Sequence, residues 1–589
     1  MPDPRPTNLV ALVARSVERQ ADKIAVRWKG PAADGHGHWL GWTYAELWER
    51  VRTLSIALGQ MGVRAGDRVV ILSRSRPEWA VADLAVLALG AVTCPVYHGE
   101  SARRIGEIIA SVGARLVFLE DEAHAEAVGS MDERTRPSQV ITFGNMPASP
   151  GARRFDDLLL AEGGDPDPTV AEAWRETWQA IPRDALATIV HTVDERGQPL
   201  GAMLSHGNLL HNYDALLAAL PLSSDEVVLS ALPLSHMLER AAGLYVPLGL
   251  GATVAYAEHG AHHWVRNMAE IRPTVLVGVP FFFEVLRSGL EAEMAGLSIW
   301  QRRLVDLALR AGAARHRNLV AGRRNGPLLT MALLATRRLV ERRIKARFGG
   351  RLRFFASGGA ALRPATGEFF DALGIPIVEG YGLSETSPLL TLNRLERPIY
   401  GRVGYPVLGT ELRIDPANGE ILARGPQVML GYLDRPAETS QVIGRDGWFH
   451  TGDCGRLDEG GALQITGRLK DLIVLTTGKK VSPRSIEAAL RSSPLIDDAL
   501  LLGEGQPSTS LLVAPHRAAV PAGGAALDDA QLMELVEPEV RRVVAELAPY
   551  ERPRQVGLLS AERVPGQRGR SEASAERSRP GRRFVDPGG

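Results

Sequence analysis

Residues 188–208 read TIVHTVDERGQPLGAMLSHGN, in which two apolar runs flank a loop that contains glycine and proline. This frame is typical of a loop that grips phosphate groups with hydroxyls and backbone N–H groups. Thr192 supplies one hydroxyl at the head of the loop. Asp194 and Glu195 place two carboxylates inside it, and position 200 is a leucine. The stretch thus has the frame of a phosphate-binding loop without most of its working side chains.

On both sides of this stretch the chain alternates helical and strand patterns. Thr43–Met61 has helical periodicity, with Thr43 as the N-cap. Buried strands are predicted at 67–72 and 114–120, with a helix at 77–89 between them. This alternation predicts the α/β class, with parallel or mixed sheets covered by helices.

The chain is predicted to divide into unequal parts. Residues 1–467 form a large domain that includes a helical, arginine-rich insert at 286–347 and ends in a small β-rich subdomain at 400–465. Residues 468–564 form a small α+β lobe. Residues 565–589 are rich in Arg, Ser, Pro and Gly with few apolar residues, which predicts disorder.

Composition limits the classes of partner. The 589 residues carry a formal net charge of +0, which gives no indication of nucleic acid as a partner. The two cysteines, Cys94 and Cys454, cannot build a disulfide framework or a clustered metal site. No signal peptide is recognised, and the longest apolar runs fall short of the ~20 residues that span a bilayer. A cytoplasmic location is predicted.

The basic insert at 286–347 has two interpretations. A basic amphipathic helix can lie on a membrane surface, which predicts peripheral membrane contact. The alternative is a solvated helical insert with no partner.

Two further motifs resemble a known family. Ser357-Gly358-Gly359-Ala360 follows a predicted strand at 352–355, and a Gly-Gly turn lets a flat ring approach the backbone closely. Residues 379–386 read EGYGLSET. Together with Gly197–Asn208, these motifs resemble the AMP-forming acyl-CoA synthetases, the adenylate-forming ligases. The resemblance covers about residues 40 to 500.

The resemblance implies a site for ATP or AMP with Mg²⁺. Tyr381 would stack on adenine, Ser384 would touch the α-phosphate, and Glu385 would be catalytic and help to hold Mg²⁺, since a carboxylate suits this hard cation. The implied nucleotide-binding positions in this part of the chain are Thr192, Gly358, Gly359, Ala360, Tyr381, Gly382 and Ser384.

The same resemblance implies the remaining contacts for ribose and CoA. Gly447–Asp453 matches a family motif in which Asp453 accepts both ribose hydroxyls, and Arg468 would also reach the ribose. Lys470 lies at the hinge on which the small lobe would swing, and it is a predicted catalytic residue. CoA would contact Gly478 and Lys479.

The substrate class follows from a narrower resemblance. Leu232–Arg240 (LPLSHMLER) and Arg353–Ala360 resemble the long-chain fatty acyl-CoA synthetases. His236, a predicted catalytic residue, would lie beside the acyl carboxylate. Val279 and the run Phe281–Phe283 would line an apolar tunnel for the fatty acid or, equally well, belong to the core.

Two departures from the family pattern concern the phosphates. The loop lacks the family's hydroxyls at 193–196, and Leu200 replaces its lysine. No lysine follows Lys480, so the family's C-terminal catalytic lysine is also missing. Arg568 or Arg570 could offer charge in its place, but arginine is bulkier and is not interchangeable with lysine at a close contact. Loss of one charge-stabilising contact costs ~3–4 kcal/mol of transition-state stabilisation. A weakened adenylation step is predicted.

Three functions therefore compete. The first is a long-chain fatty acid–CoA ligase that uses ATP, CoA and Mg²⁺, with slow adenylation. The second is a family member that thioesterifies an acyl-adenylate made elsewhere. The third is a non-catalytic scaffold that binds AMP-like ligands.

Overall fold

A computed structural model of the protein shows two compact units. The first comprises residues 1–412, 423–449 and 459–463, and the second comprises 413–422, 450–458 and 464–589. The predicted boundary at 467/468 stays a prediction. The structure describes residues 5–30, 37–144, 151–161, 167–193, 198–336, 340–469, 473–474, 480–481, 483–503, 506, 508–516, 528–545, 547, 551–558 and 582–583.

The first unit contains a nine-stranded sheet whose central strands are parallel. Phe355 pairs with Leu276 on one side and with Ile377 on the other. The predicted strand at 352–355 is found at Phe354–Ser357, because the parallel pairing with Val275–Gly278 starts at Phe354. The strands follow the spatial order Tyr405–Pro406, Thr391–Leu392, Ile377–Tyr381, Phe354–Ser357, Val275–Gly278, Val227–Ser230, Thr253–Tyr256, Ile24–Lys29 and Trp39–Thr43.

An eight-stranded sheet forms the other layer of strands in this unit. Six neighbouring strands run parallel, and the strands Pro199–Ser205 and Gly431–Tyr432 add antiparallel pairing at one side. The mostly parallel sheets predicted from the sequence are confirmed. The order is Gly431–Tyr432, Pro199–Ser205, Leu186–Val193, Val92–Val96, Arg68–Leu72, Leu116–Leu119, Gln139–Thr142 and Arg153–Arg154.

Helices cover both sheets. The predicted N-cap is confirmed, because the Thr43 hydroxyl accepts from the Glu46 N–H and the Glu46 carboxylate accepts from the Thr43 N–H. Glu239–Tyr245 is a π-helix. The α-helices are Leu9–Gln20, Tyr44–Gln60, Pro77–Leu87, Ala102–Val112, Glu122–Gly129, Phe155–Ala161, Pro168–Gln179, His206–Ala219, Val246–Leu250, Ala261–Ile271, Pro280–Ala295, Ile299–Val320, Pro327–Thr336, Arg342–Arg347, Pro364–Ala372 and Pro436–Val442. Among the described residues, none of these helices is long and apolar enough to cross a membrane.

The second unit is built on short strands and two helices, as predicted for a small α+β lobe. Its elements include the sheets Glu411–Ile414, Glu420–Arg424, Phe449–Leu457 and Leu463–Arg468; Ile473–Val474 and Lys480–Val481; Ile496–Leu502, Ser510–Pro515, Gln555–Leu558 and Arg582–Arg583; and the helices Pro483–Arg491 and Asp529–Ala545. Arg582 and Arg583 pair with the strand at Gln555–Leu558, so the predicted disorder of the tail is wrong for these two residues. The rest of the tail lies outside the described residues.

A fully buried ion pair lies between the layers of the first unit. Arg240 and Asp83 both have no exposed surface, and their side chains are in direct contact. Arg240 also donates to Thr188 Oγ1 at 2.7 Å and to Thr93 Oγ1, while the Tyr245 hydroxyl donates to the second Asp83 oxygen at 2.7 Å. Each carboxylate oxygen of Asp83 thus accepts a hydrogen bond, which offsets the cost of burying the charge.

We expect Asp83→Ala to lower the free energy of unfolding by about 3–5 kcal/mol, because the Arg240 guanidinium would remain buried without its counter-ion. Urea unfolding followed by tryptophan fluorescence measures the change. The control is Glu107→Gln, which removes an exposed partner of Arg103 and should leave the unfolding midpoint in place. Equal midpoints for Asp83→Ala and the wild type would contradict this role of the pair.

Candidate active site

A glycine turn lies at the carboxyl end of a central strand, where open α/β sheets bind ligands. The turn follows Phe354–Ser357, and the Gly358 N–H donates to the Gly278 carbonyl of the neighbouring strand at 3.3 Å. Gly359 has φ +79°, a conformation that favours glycine. Gly359 and Ala360 are exposed, so the surface of the turn is open to a flat ring.

The EGYGLSET motif follows the next strand of the same sheet. Tyr381 ends the strand Ile377–Tyr381 with 8% of its surface exposed. A Cβ atom on Gly382 would lie 1.6 Å from the Pro388 carbonyl oxygen, so the chain accepts only glycine there. Ser384 begins one turn of 3-10 helix and is partly exposed. The structure therefore brings the glycine turn at 357–360 and residues 379–386 to the ends of adjacent strands.

Glu385 is held rigidly at this strand end. Its side chain is 8% exposed, and Oε1 accepts a hydrogen bond from the Tyr432 hydroxyl at 2.9 Å. Its backbone carbonyl accepts from the Met429 N–H at 2.8 Å. Tyr432 belongs to a short strand that pairs with Ala202 in the hairpin of the phosphate loop. One hydroxyl thus connects the carboxylate to that hairpin.

The donor set fits Mg²⁺ held largely by a substrate. Among the described residues there is no group of three or more His, Cys, Asp or Glu side chains that could hold a metal ion. Mg²⁺ is commonly bound by one or two carboxylates together with phosphate oxygens and water. Glu385 would supply the protein carboxylate in such a site.

The phosphate-loop hairpin is formed by the strands Leu186–Val193 and Pro199–Ser205. Thr192 lies opposite Leu200 in the antiparallel register and is partly exposed. Leu200 is 8% exposed and packs in the large core of the unit. The Leu200 side chain therefore contributes to the hydrophobic core. Residues 194–197 lie outside the described residues.

His236 lies on the loop that leads into the π-helix. Its ring is exposed, while Nδ1 accepts from the Leu238 N–H at 3.2 Å. This contact assigns the ring proton to Nε2, which can donate to a carboxylate. Although the residue has exposed surface, the protein packed around the ring partly desolvates it and lowers the pKa of His236, which favours the neutral ring at pH 7.

The phenylalanine run has a different role from the predicted tunnel. Phe282 and Phe283 are 1% and 0% exposed and belong to a core cluster, whereas Phe281 is 69% exposed. The helix Pro280–Ala295 points neighbouring side chains in different directions, so the three rings cannot line one wall. The core alternative is correct for two of them.

In the second unit the two predicted ribose residues lie together. Arg468 Nε is 3.2 Å from Asp453 Oδ1, and Asp453 is 8% exposed. The Asp453 N–H donates to Thr451 Oγ1, which donates to the Ile421 carbonyl at 2.7 Å. The backbone at Asp453 is thus fixed, through Thr451, to the neighbouring strand. Lys470, Gly478 and Lys479 lie outside the described residues.

Tyr432 carries no sequence pattern that marks it as a site residue. It lies 47 residues from Glu385, and only the pairing of its strand with the hairpin brings the two side chains together. A tyrosine in a two-residue strand has no pattern that distinguishes it from a core residue.

Solved structures share the fold of this chain, with its large α/β unit and small α+β unit. The solved anthranilate CoA ligase AuaEII has a TM-score of 0.69 at 18% identity, with 95% of this chain and 94% of that chain covered. ATP-bound MatB from Rhodopseudomonas palustris has a TM-score of 0.67 at 24% identity, with 94% and 95% covered. Both likenesses concern the fold.

Sequence comparison identifies the family. The AMP-binding enzyme family matches residues 13–433, and the AMP-binding enzyme C-terminal domain matches residues 470–562. The chain belongs to the AMP-binding enzyme family. It is 35% identical over 485 residues to the long-chain-fatty-acid–CoA ligase FadD15 of Mycobacterium tuberculosis, with 81% of this chain and 78% of the relative covered. It is 28% identical to the probable acyl-activating enzyme 16 of Arabidopsis thaliana, with 90% and 80% covered.

We expect Tyr432→Phe to raise the Mg²⁺ concentration for half-maximal pyrophosphate exchange about tenfold, which is ~1.4 kcal/mol and within the range of a hydrogen bond to a charged group. The affinity for AMP without Mg²⁺ should change less than about twofold, because the substitution does not alter the glycine turn at 357–360. Magnesium titrations and calorimetry measure the two quantities.

The matched control is Tyr213→Phe, which removes a hydroxyl that donates to the Gly249 carbonyl. It should leave the magnesium requirement of the protein unchanged. A Tyr432→Phe protein with the magnesium requirement of the wild type would show that the hydroxyl does not support Glu385.

Proposed function

We propose that this protein is an AMP-forming long-chain fatty acid–CoA ligase. The fatty acid carboxylate attacks the α-phosphate of ATP to give acyl-AMP and pyrophosphate, and the CoA thiol then displaces AMP to give acyl-CoA. The observation that carries the proposal is the placement of the glycine turn at 357–360 and of residues 379–386 at adjacent strand ends. FadD15, named as a long-chain ligase, supports the acyl class through 35% identity over most of both chains.

Different residues of the chain bind different parts of the substrates. Tyr381 and the glycine turn sandwich adenine, and Asp453 with Arg468 binds ribose hydroxyls. Glu385 would hold Mg²⁺, which when bound neutralises charge on the phosphates. The His236 Nε2–H donates to the acyl carboxylate and orients its oxygen toward phosphorus, a positioning effect that a neutral ring can supply.

We further propose that adenylation is the slower half-reaction. Leu200 packs in the core, so this position offers no cation to the phosphates. Asp194 and Glu195 add negative charge to the sequence between the two strands of the hairpin. Thiol attack on a preformed acyl-adenylate meets neither obstacle, because pyrophosphate has already left. The second candidate function, a protein that only thioesterifies an adenylate made elsewhere, rests on the same buried Leu200.

Purified protein with ATP, Mg²⁺, CoA and saturated fatty acids of increasing length tests the function. We expect acyl-CoA with the highest kcat/KM for long chains, and at least about tenfold faster product from palmitoyl-adenylate with CoA, a difference of ~1.4 kcal/mol in barrier. Tyr381→Ala should lose both activities, whereas Tyr213→Phe should keep them.

Each outcome separates the candidates. Product from palmitoyl-adenylate alone favours the thioesterifying protein, and equal rates from the two starting points contradict slow adenylation. If neither starting point gives product but AMP still binds, the result favours the non-catalytic scaffold.

A second proposed property concerns the insert. Residues 286–347 contain fourteen basic and four acidic residues. Large apolar side chains are exposed on its helices, among them Trp300 at 76%, Leu328 at 82%, Met331 at 68% and Leu334 at 63%. Leu328, Met331 and Leu334 recur every third residue and share one face of Pro327–Thr336. We propose that this apolar face, together with basic residues that flank it in the sequence such as Arg323 and Arg324, binds an anionic lipid surface, from which a long-chain fatty acid would be drawn.

We expect co-sedimentation with vesicles that contain anionic phospholipid and little with neutral vesicles. Arg323→Glu with Arg324→Glu should weaken vesicle binding more than about tenfold, since each basic residue near the surface contributes ~1 kcal/mol. Leu328→Ser with Met331→Ser should also weaken it, whereas Leu408→Ser, at a similarly exposed leucine elsewhere, should not. Equal binding to both vesicle types would contradict the proposal.

A further inference from the structure

The loop that carries His236 is fastened at its middle to another loop. It spans residues 231–238 between the strand Val227–Ser230 and the π-helix Glu239–Tyr245. The Ser75 hydroxyl donates to the Leu232 carbonyl at 2.8 Å and accepts from the Leu234 N–H at 2.9 Å. Two backbone groups of the loop are thus fixed by one side chain.

The base of the same loop encloses a buried polar group. Glu239, at its end, has no exposed surface, and Ser230, at its start, is 1% exposed. Tyr256 is 3% exposed and lies opposite Ser230 in the parallel register. Within the described part of the chain, neither Glu239 oxygen, the Ser230 hydroxyl nor the Tyr256 hydroxyl has a hydrogen bond of good geometry. Gly243 leaves room for the carboxyl, since a Cβ there would lie 2.3 Å from Glu239 Oε1.

The charges around Glu239 do not favour its ionised form. Arg240 is the adjacent cation, but its guanidinium is engaged by Asp83 and two threonine hydroxyls. From the helix Pro77–Leu87, the carboxylates of Glu78 and Asp83 act on Tyr256, as does Glu239 itself. Burial raises the pKa of Glu239 to about 8, and the nearby Ser230 hydroxyl and Leu232 N–H offset this only in part. A neutral carboxyl can both donate to and accept from hydroxyls, whereas a carboxylate only accepts.

We propose that Glu239 is a positioning residue for the acyl-carboxylate site: as a neutral carboxylic acid it joins Ser230 and Tyr256 and closes the base of the loop that presents His236. Its role toward the fatty acid rests on the proposed ligase function. Ionisation would place an unpaired charge at the base of the loop and open it. His236 would then lose its fixed approach to the acyl carboxylate, while the nucleotide turn would be unaffected.

The pH dependence of KM for palmitate and for ATP tests this role. If only the neutral form binds the acid productively, KM for palmitate in the wild type rises about tenfold between pH 7 and pH 9, as the neutral fraction falls through the pKa. Glu239→Gln, a neutral isostere, should keep KM for palmitate within about twofold over this range. KM for ATP should follow the same course with pH in both proteins. The same rise in KM for palmitate in Glu239→Gln would overturn the proposal.

A stability series tests the neutral carboxyl without any activity. Because the folded pKa of Glu239 is raised above its unfolded value, its contribution to stability is complete below the unfolded pKa and is lost as pH rises through the folded one. The Tm of Glu239→Gln minus that of the wild type should therefore grow from about pH 5 to pH 8 and then level off.

The matched control is Glu226→Gln, which alters a buried glutamate that is paired with Arg353. Its Tm relative to the wild type should not improve as the pH rises. A Tm difference for Glu239→Gln that is independent of pH would overturn the neutral carboxyl. An inactive wild type with the expected Tm series would instead reject the ligase function and the role toward His236.

Discussion

The buried contact between Arg240 and Asp83 is the constraint on which the active-site half of the first unit depends. It joins the helix Pro77–Leu87 to the π-helix, and through Thr93 and Thr188 it joins both to the eight-stranded sheet. The π-helix itself follows a strand of the nine-stranded sheet. A charge buried this deeply is costly without its partners. The contact therefore restricts how the two helices can pack against the sheet at this point.

Residues of the candidate site are held in a similar way at the strand ends. The glycine turn and Tyr381 are placed by parallel neighbours, and Glu385 is held by Tyr432 from a different strand. Preorganised groups of this kind need no rearrangement when charge develops in the reaction. The π-helix also contributes its first residue, Glu239, which closes the base of the loop that carries His236.

The phosphate-loop hairpin has a backbone frame of two paired strands. Its two strands, its cap at Ser205 and its contact with Gly431–Tyr432 are present. Leu200 contributes to the core. The backbone frame of the hairpin depends on strand pairing and burial, so it does not require particular side chains in the loop.

The sequence by itself determined the α/β class, the helix at Tyr44–Gln60 with its cap, and the motifs around Tyr381 and Asp453, because periodicity, capping and glycine turns are local properties of the chain. Only the tertiary structure decided that Phe282 and Phe283 are core, that Leu200 is buried, and that Tyr432 reaches Glu385. These facts depend on which strands become neighbours and which way a helix face turns. Contacts between residues far apart in the chain are set by the packing of whole layers, for which a single sequence carries no local signal.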